Sequence, residues 1–367
     1  MPNDVPFLDA AAGIRPRHTP VWFMRQAGRS LPEYRAVRGE GSILDAIKRP
    51  DDAAEITLQP VRRYGVDAAV LYSDIVVPPH AVGFGVDVAP GTGPVAETPL
   101  RSAADLERLR PLEVDDVDYV VATVERLVAE LAADVPLLAF AGAPFTVGSY
   151  LIEGAPSRDY RHTKAMMHTA PDLFHSVMDR LATSAITFID AQLTAGARAF
   201  QLFDSWAGSL SQADYQRFVL PHSQRVFTEL RERHPHVASI HFGIGCDHLL
   251  ESMHRAMDTG HDGAGRVVLG LDWRTPISEA RVRLGGNLVV QGNLDPALVL
   301  AGREAAVAGA EQVLADNRGA GDVPSPGHIF NLGHGVHQDS DPDVLHEIVR
   351  LVHDRTRRDP AGADRTP

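Results

Sequence analysis

Two arginines near the start of the chain have the type and spacing of residues that bind an anion. Arg25 and Arg29 are four positions apart and enclose the flexible pair Ala27-Gly28. Guanidinium groups at this spacing can converge on a carboxylate or a phosphate with bidentate geometry. Alternatively, both lie on the surface and pair with Glu33 or Glu40. The spacing alone leaves the two interpretations open.

For one aspartate and one histidine, the sequence allows either a chemical role or a purely structural one. Asp74 follows the apolar run Ala68–Ser73 and precedes further apolar residues, surroundings that alter the chemistry of a carboxylate. The alternative is that it caps a helix or turn. His334 lies between Gly333 and Gly335, which let the backbone approach a ligand closely. Its imidazole can donate, accept or carry a proton, or it can simply bond to the backbone of its turn.

Two hydroxyl side chains complete the set of polar residues that could contact a ligand. Tyr150 and Ser205 each follow a predicted strand. The alternatives are a tyrosine that packs at the rim of the fold and a serine that caps a turn beside Asp204. No GxSxG sequence surrounds Ser205, so we do not interpret it as a nucleophile.

Little in the sequence favours a metal ion or an organic cofactor. His241, Cys246, Asp247 and His248 are close along the chain, but a zinc site needs three or four such ligands that converge. A lone cysteine is more often a small buried residue. No flavin, pyridoxal or nicotinamide signature is present. We therefore predict a reaction without metal or cofactor.

Composition restricts the class of protein. The 367 residues are 44% apolar and carry a net charge of −13. An acidic chain argues against a nucleic-acid binder, which needs a basic face, and against a polybasic membrane-surface protein.

The single cysteine allows no internal disulfide, and the first 20 residues contain no apolar run typical of a secretory signal. Glycines and prolines interrupt the charge-free stretch 135–152, which favours a buried strand and loop over a membrane helix. We expect a cytoplasmic protein.

Eight short apolar runs alternate with stretches of helical periodicity, which predicts an α/β fold of the (β/α)8 TIM barrel type. A doubly wound sheet would show a GxGxxG turn after its first strand, and none is present. We expect residues 1–357 to form one barrel domain and 358–367 a disordered tail. The predicted strands are Val21–Arg25, Ala68–Ser73, Pro136–Gly142, Ala197–Asp204, Val237–Gly243, Val267–Leu271, Leu288–Gly292 and Ile329–Gly333.

Several helices are also predicted from apolar spacing and from proline and capping residues. The sequence indicates helices over Asp115–Ala133, Pro171–Gly196, Pro50–Tyr64 with a break near Pro60, Ser211–His234 with a kink at Pro221, Pro296–Asn317, and Pro342 to about Thr356. The candidate site residues lie at the carboxyl ends of predicted strands or follow them. In a barrel this is the end that carries the chemistry.

These motifs, taken together, resemble the uroporphyrinogen decarboxylase family. The first of them is highly specific, and the set occurs in family order from about residue 5 to residue 355. The matching stretches are Trp22-Phe-Met-Arg-Gln-Ala-Gly-Arg29 followed by Leu31-Pro-Glu-Tyr34, Tyr72-Ser-Asp-Ile75, Gly142-Ala-Pro-Phe-Thr146, Phe203-Asp-Ser-Trp-Ala-Gly208, Gln291-Gly-Asn-Leu-Asp-Pro296 and Asn331-Leu-Gly-His-Gly335.

The resemblance implies a cytosolic (β/α)8 barrel, usually a homodimer, that acts in haem biosynthesis. Such an enzyme converts uroporphyrinogen III to coproporphyrinogen III by removing four acetate carboxyls as CO2, with no metal or organic cofactor. Asp74 is then expected to accept hydrogen bonds from pyrrole N–H groups. Arg25 and Arg29 would bind substrate carboxylates, with one assisting proton transfer, and Phe203 would pack against the macrocycle. Three further positions match family contacts to the side-chain carboxylates: Tyr150, Ser205 and His334.

Two other functions remain as alternatives. A zinc-dependent corrinoid methyltransferase of the same superfamily would carry a His-x-Cys motif and a later cysteine. In this chain Gly243 stands where the first cysteine would be, two residues after His241, and Asn331–Gly335 contains no cysteine. The second alternative is a non-catalytic barrel that binds or scaffolds, and it predicts no need for Asp74.

Overall fold

A parallel sheet curls around a buried centre in this computed structural model, which describes residues 4–28, 30–89, 91–258, 266–318, 325 and 327–358. Within those ranges seven strands form the sheet, in the order β1-β4-β5-β6-β7-β8-β9, and β2 and β3 form a separate antiparallel hairpin. The strands are β1 (Ala69–Val70), β2 (Val86–Ala89), β3 (Gly93–Ala96), β4 (Leu137–Gly142), β5 (Ala199–Phe203), β6 (Ala238–Phe242), β7 (Val267–Gly270), β8 (Val290–Leu294) and β9 (His328–Leu332).

Helices precede, separate and follow the sheet strands and cover the outside of the sheet. They are α1 (Pro6–Ala11), α2 (Pro32–Arg38), α3 (Ile43–Ile47), α4 (Pro50–Tyr64), α5 (Val77–Ala81), α6 (Ala103–Leu106), α7 (Asp118–Glu130), α8 (Pro144–Glu153), α9 (Arg161–Thr169), α10 (Pro171–Thr194), α11 (Gln212–Asp214), α12 (Leu220–Arg233), α13 (Leu250–Met257), α14 (Ile277–Leu284), α15 (Pro296–Leu300), α16 (Arg303–Asp316) and α17 (Pro342–Thr356). None of the helices in the described ranges is both long and apolar enough to cross a membrane.

The segment 20–24 brings the two edges of the sheet together. On one side Trp22 N–H donates to Phe330 O (3.3 Å) in β9. On the other side Asp67 N–H donates to Val21 O (2.8 Å) just before β1. The sheet is therefore closed into a barrel, which confirms the predicted fold class.

The first predicted strand, Val21–Arg25, is wrong as a regular strand, since only Val21 forms a bridge, to Phe330. Side chains accept the backbone N–H groups of Val21 and Phe23, where a neighbouring strand would do so in a regular sheet. Val21 N–H donates to the carboxylate of Asp67 (2.7 Å), and Phe23 N–H donates to Gln26 Oε1 (2.9 Å). This irregular backbone turns the chain abruptly after Met24.

The other seven predicted strands are confirmed as members of the sheet, with shorter or shifted bounds. Every residue of β4, β6, β8 and β9 is buried, as expected for strands covered on both faces. Polar side chains nevertheless cross the barrel centre. Trp22 Nε1–H donates to Gln291 Oε1 (2.9 Å), and Gln291 Nε2–H donates to Gln201 Oε1 (2.8 Å). These bonds satisfy polar groups that would otherwise be costly to bury.

Two helix predictions are wrong in detail. The helix Pro50–Tyr64 continues through Pro60 without a break, because Pro60 lies on a face buried along much of its length, and that packing outweighs the lost hydrogen bond. The predicted helix Pro296–Asn317 is two helices, because Gly302 lies between them with φ of +102°, which ends the first one.

Other helix predictions are confirmed. A turn with π-type hydrogen bonding, Tyr215–Val219, lies directly before Pro221, where the sequence predicts a kink. Asp341 caps the last helix by accepting the N–H of Asp343 (2.9 Å).

The β2–β3 hairpin was not predicted. Of the predicted tail, 359–367 lies outside the described residues, and Arg358 N–H donates to Arg17 O (2.9 Å).

The tight packing of the loop after β5 can be tested by adding a methyl group to it. A Cβ added at Gly208 would meet the backbone oxygens of Ile244 and Gly245, the latter at 2.6 Å. Backbone cannot move aside as a flexible side chain can, so we expect Gly208→Ala to lower the free energy of unfolding by about 1–3 kcal/mol. Urea denaturation measures this change.

The matched control is Gly286→Ala, because a Cβ at this exposed position meets nothing within 4 Å. We expect the control to change stability by less than about 0.5 kcal/mol. Equal stability of the two variants would show that the loop after β5 yields to the extra methyl group.

Candidate functional site

The turn at Arg25 is held from both sides of the barrel seam. Gln26 is fully buried and its Nε2–H donates to Ala68 O (3.0 Å). Met24 N–H donates to Asn331 Oδ1 (3.1 Å), and Val336 N–H donates to Met24 O (2.8 Å). Arg25 itself has φ of +60°, a left-handed conformation that is uncommon for a residue with a side chain. The surrounding bonds hold it there, and its side chain is exposed at the barrel end.

The side chain of Arg25 runs across Gly335. A Cβ added at Gly335 would meet Cδ of Arg25 and would lie 2.8 Å from its Cγ. Glycine is therefore required at this position for the arginine to lie where it does. This contact also joins Arg25 to the turn that carries His334.

His334 is held as a neutral hydrogen-bond donor. Burial and the positive charge of Arg25 lower the pKa of His334 to about 4. The N–H of Gly335 donates to its Nδ1 (2.5 Å), so in the neutral ring the proton is on Nε2. The remaining N–H can donate to an anionic oxygen without adding a positive charge to the site.

Asp74 lies between β1 and α5, at the same end of the barrel. Its Oδ1 accepts the N–H of Val76 (3.0 Å), so the predicted turn cap is present. A Cβ at Gly142 would meet Ile75 Cβ at 2.9 Å, which shows how closely the apolar neighbour of Asp74 packs against the end of β4.

Tyr150 connects the two opposite charges. Burial and the negative charge of Asp74 raise the pKa of Tyr150 above its usual value, while the charge of Arg25 opposes the rise. Both charged groups therefore act on the same phenol, which stays protonated at neutral pH. Tyr150 is held on α8 by a ring contact with Trp206, whose centroid is 3.9 Å away.

Ser205 lies in the turn that also carries Trp206. The buried carboxylate of Asp204 accepts the hydroxyl of Thr146 (2.9 Å), and the N–H of Trp206 donates to the same threonine oxygen (3.3 Å). Thr146 on α8 thus holds the turn, and the half-buried Ser205 lies between two anchored residues.

Phe203 ends β5 and forms part of the wall beside these polar groups. Its ring is half-buried and makes edge contacts with Phe140 (5.5 Å between centroids) and Phe242 (6.1 Å). The structure thus gathers Arg25, Asp74, Tyr150 and His334 through direct contacts or mutual charge effects, and it positions Ser205 and Phe203 on the neighbouring strand end. Arg29 lies outside the described residues.

Sequence reasoning missed Arg274, which follows β7. The carboxylate of the buried Asp272 accepts a guanidinium N–H of Arg274 (2.6 Å) and also its backbone N–H (2.9 Å). The guanidinium lies 3.9 Å over the ring of Trp273, and the side chain remains half-exposed. A Cβ at Gly333 would meet the backbone of Trp273, so this turn packs beside the one that bears His334.

A signal for Arg274 was present in the sequence. The predicted strand Val267–Leu271 ends in Asp272-Trp273, and a cation directly after a polar strand end lies at the same rim as Arg25. What the sequence could not show is that Asp272 faces back to hold the guanidinium.

The residues around His241 do not form the arrangement that a zinc site would need. His241 Nδ1 bonds to the carbonyl of Met253 (3.2 Å), and burial raises the pKa of the Cys246 thiol well above its usual value. A Cβ at Gly243 would lie 2.5 Å from Sγ of Cys246, so a cysteine at this position has no room.

Comparisons with known proteins agree with one another. The family model for uroporphyrinogen decarboxylase matches residues 2–355. The chain is 52% identical over 357 residues to a uroporphyrinogen decarboxylase of Salinispora tropica, covering 97% of this chain and 92% of the relative. It is 51% identical over 348 residues to that of Mycobacterium tuberculosis strain H37Rv, covering 95% and 97%. A solved methyltransferase from Methanosarcina mazei superposes with a TM-score of 0.74 at 16% identity, covering 96% and 98%, which concerns the fold alone.

The low pKa of His334 predicts a pH dependence of stability. An unfolded histidine titrates near 6.5, whereas the folded group titrates near 4. Between these values the unfolded chain binds a proton that the folded chain does not, so this residue makes stability fall as pH falls, by up to about 1.4 kcal/mol per pH unit.

The measurement is urea unfolding of wild type and His334→Gln from pH 7 to pH 4.5. We expect the variant to gain stability relative to wild type as the pH is lowered. Parallel pH profiles would mean that His334 accepts its proton as readily in the folded chain as in the unfolded one.

Proposed function

This chain belongs to the uroporphyrinogen decarboxylase family, and on that premise we propose how the candidate site works. The barrel end that carries Arg25, Asp74 and His334 is called the mouth below. The chain is a carboxy-lyase that removes the four acetate carboxyls of uroporphyrinogen III as CO2 and gives coproporphyrinogen III. The observation that carries the assignment of residues is that Asp74 and Arg25, opposite in charge, both lie near enough to Tyr150 for their charges to act on the pKa of its phenol.

Decarboxylation needs a place for the electron pair of the breaking C–C bond. In this substrate the pyrrole supplies it. Protonation of a ring carbon gives an iminium-like cation, and CO2 leaves as the electrons move into that ring. The methylene carbon left behind then takes up a proton to become a methyl group, and the ring carbon returns its proton. Each cycle replaces one carboxylate by one hydrogen, and the pyrrole is restored.

We assign Asp74 to the stabilisation of the cationic ring. A carboxylate fixed in place, with apolar Ile75 beside it, can accept the pyrrole N–H bonds, which strengthen as the ring becomes positive. Preorganised charge of this kind lowers the barrier because nothing has to reorient during the reaction.

We assign Arg25 and Arg29 to the substrate carboxylates, in bidentate geometry. A guanidinium has an ordinary pKa above 12 and is a weak acid. Arg25 is exposed in the free chain, so we propose that any proton it helps to deliver passes through a water molecule that it orients. The remaining acetates and propionates contact Ser205, the phenol of Tyr150 and the Nε2–H of His334.

Neutral partners suit a substrate with eight carboxylates and a cationic transition state. His334 is neutral at physiological pH and Tyr150 stays protonated, so both bind anions without opposing the positive charge at the ring. Phe203 offers an apolar face to the macrocycle.

We propose that the reaction requires no metal and no cofactor. We further propose a cytoplasmic homodimer, which family membership supports.

The geometry does not favour the methyltransferase alternative. That function needs a cysteine two residues after His241, and the packing of Gly243 against Cys246 leaves no room for one. The alternative therefore requires a different loop conformation as well as a different sequence.

The first experiment tests the reaction itself. We expect chelator-treated protein, incubated without oxygen with uroporphyrinogen III, to release CO2 in successive steps and to end at the product with four carboxyls. Mass spectrometry of the porphyrins follows each step. Loss of activity on chelation, restored by a metal, would overturn the metal-free mechanism.

Asp74→Asn tests the proposed charge in the same assay. The variant keeps an oxygen that can accept the N–H of Val76, so the turn survives while the charge is removed. We expect about 3–4 kcal/mol less transition-state stabilisation, which lowers kcat by about 10²–10³-fold. The control is the exposed carboxylate variant Asp115→Asn, which should leave kcat unchanged. Wild-type turnover of Asp74→Asn would remove this residue from the mechanism.

We also propose that Arg274 binds a peripheral carboxylate of the substrate. Asp272 and Trp273 hold its guanidinium, and the half-exposed part can still donate. A hydrogen bond to a charged group contributes about 1.5–3 kcal/mol, so Arg274→Gln should raise KM by about tenfold or more and change kcat little. Steady-state kinetics with Arg303→Gln, an exposed arginine on α16, is the control. Equal KM values for the two variants would exclude this contact.

A further inference from the structure

Two histidines and an aspartate meet at the barrel end opposite to the mouth. His18 precedes the segment 20–24, Asp67 precedes β1, and His353 lies on α17. The Nε2 atom of His18 is 2.7 Å from Oδ1 of Asp67, and the Nε2 atom of His353 is 2.7 Å from Oδ2. All the ligand atoms of this trio lie within 4.8 Å of one another.

The carboxylate at the centre of this trio has a fixed orientation. Its Oδ2 atom also accepts the backbone N–H of Val21 (2.7 Å), which is part of the barrel closure. Asp67 is buried, with 6% of its surface exposed. Such an outer hydrogen bond to a ligand carboxylate is typical of metal sites, where it orients the ligand and tunes its basicity.

The two imidazoles are packed against each other, and they are not sealed from solvent. Their ring centroids are 4.0 Å apart with a tilt of 38°. The side chains of His18 and His353 are 12% and 18% exposed. Partial exposure leaves a route by which an ion can enter and a place for a water molecule as an additional ligand.

We propose that His18, Asp67 and His353 form a binding site for a divalent transition-metal ion of the zinc type. The ion would replace the protons now shared between each Nε2 and the carboxylate. Zinc binds imidazole nitrogen and carboxylate oxygen at about 2.0–2.2 Å, and tetrahedral geometry then places neighbouring ligand atoms about 3.4 Å apart, so each 2.7 Å nitrogen–oxygen separation must widen by roughly 0.7 Å. Two imidazoles and one carboxylate, with water in the fourth position, suit zinc, cobalt or nickel, whereas calcium and magnesium prefer all-oxygen sites.

The site has a structural consequence that is separate from catalysis. It joins the chain before the first barrel segment, the start of β1 and the last helix, and it lies away from Arg25 and His334. An ion that binds only the folded chain stabilises it according to its concentration relative to its Kd. The proposal does not depend on the decarboxylase mechanism, and the metal-free and metal-loaded proteins should have the same kcat.

The experiment begins with the full chain stripped of metal. We expect one equivalent of Co2+ to produce the visible absorption bands of a low-coordinate site, and Zn2+ to displace it with loss of those bands. One equivalent of Zn2+ should also raise the thermal unfolding midpoint. Absence of both the bands and the shift would overturn the proposal and leave the trio as a hydrogen-bonded clamp.

Variants identify the ligands. Loss of an outer-shell partner alone weakens metal binding 10–100-fold, so removal of a ligand in His353→Asn should weaken it by at least about 100-fold. His346→Asn, an exposed histidine on the same helix, is the matched control and should bind as wild type does. If His353→Asn fails to fold, His18→Asn tests the same site from the other side. Equal affinity of the ligand variants and the control, or loss of binding in the control, would overturn the assignment.

Discussion

Closure of the barrel through the segment 20–24 is the constraint on which the candidate site depends. This short piece of chain bonds to Phe330 on one side and to Asp67 on the other. Three chain segments that end in candidate site residues thereby become neighbours. The segment itself leads to Arg25, β1 leads to Asp74, and β9 leads to His334. Without the closure the charges of Asp74 and Arg25 would not act on the same tyrosine.

The mouth reconciles an acidic chain with an acidic substrate. The net charge of −13 belongs to the whole molecule, whereas the candidate site combines the exposed Arg25 and Arg274 with neutral donors. Burial and nearby positive charge keep His334 neutral, and burial keeps Tyr150 protonated. The one carboxylate at the mouth with a proposed catalytic role, Asp74, is the group that a cationic ring would require. In the proposed mechanism, local geometry therefore outweighs the repulsion that the overall charge would suggest.

Much of the fold and of the site could be predicted because the signals are local. Buried strands appear in the sequence as continuous apolar runs, and polar or glycine-rich sequence follows the strands at the end that forms the mouth. The failures arise from contacts made at long range. Nothing near Val21 shows that the side chain of Asp67 would replace a strand partner, and nothing near Pro60 shows how fully its helix face is buried. Arg274 was missed because the orientation of its neighbour Asp272 depends on a long-range contact, in which the N–H of Gly245 donates to the Asp272 carboxylate (2.5 Å).

The contact between Arg25 and Gly335 has a consequence for how the protein is made. Met24 and its partner Asn331 are 307 residues apart, so the turn that bears Arg25 is held by one of the last strands to be synthesised. While the nascent chain is still on the ribosome, the arginine and Asp74 have emerged, but Gly335, across which the arginine side chain lies, has not yet been made. Contacts of such long range form slowly, because nearly the whole chain must be ordered before they stabilise anything. The mouth is therefore expected to be among the last parts of the barrel to take shape, and a chain that ends before Gly335 would keep most of its strands without a working site.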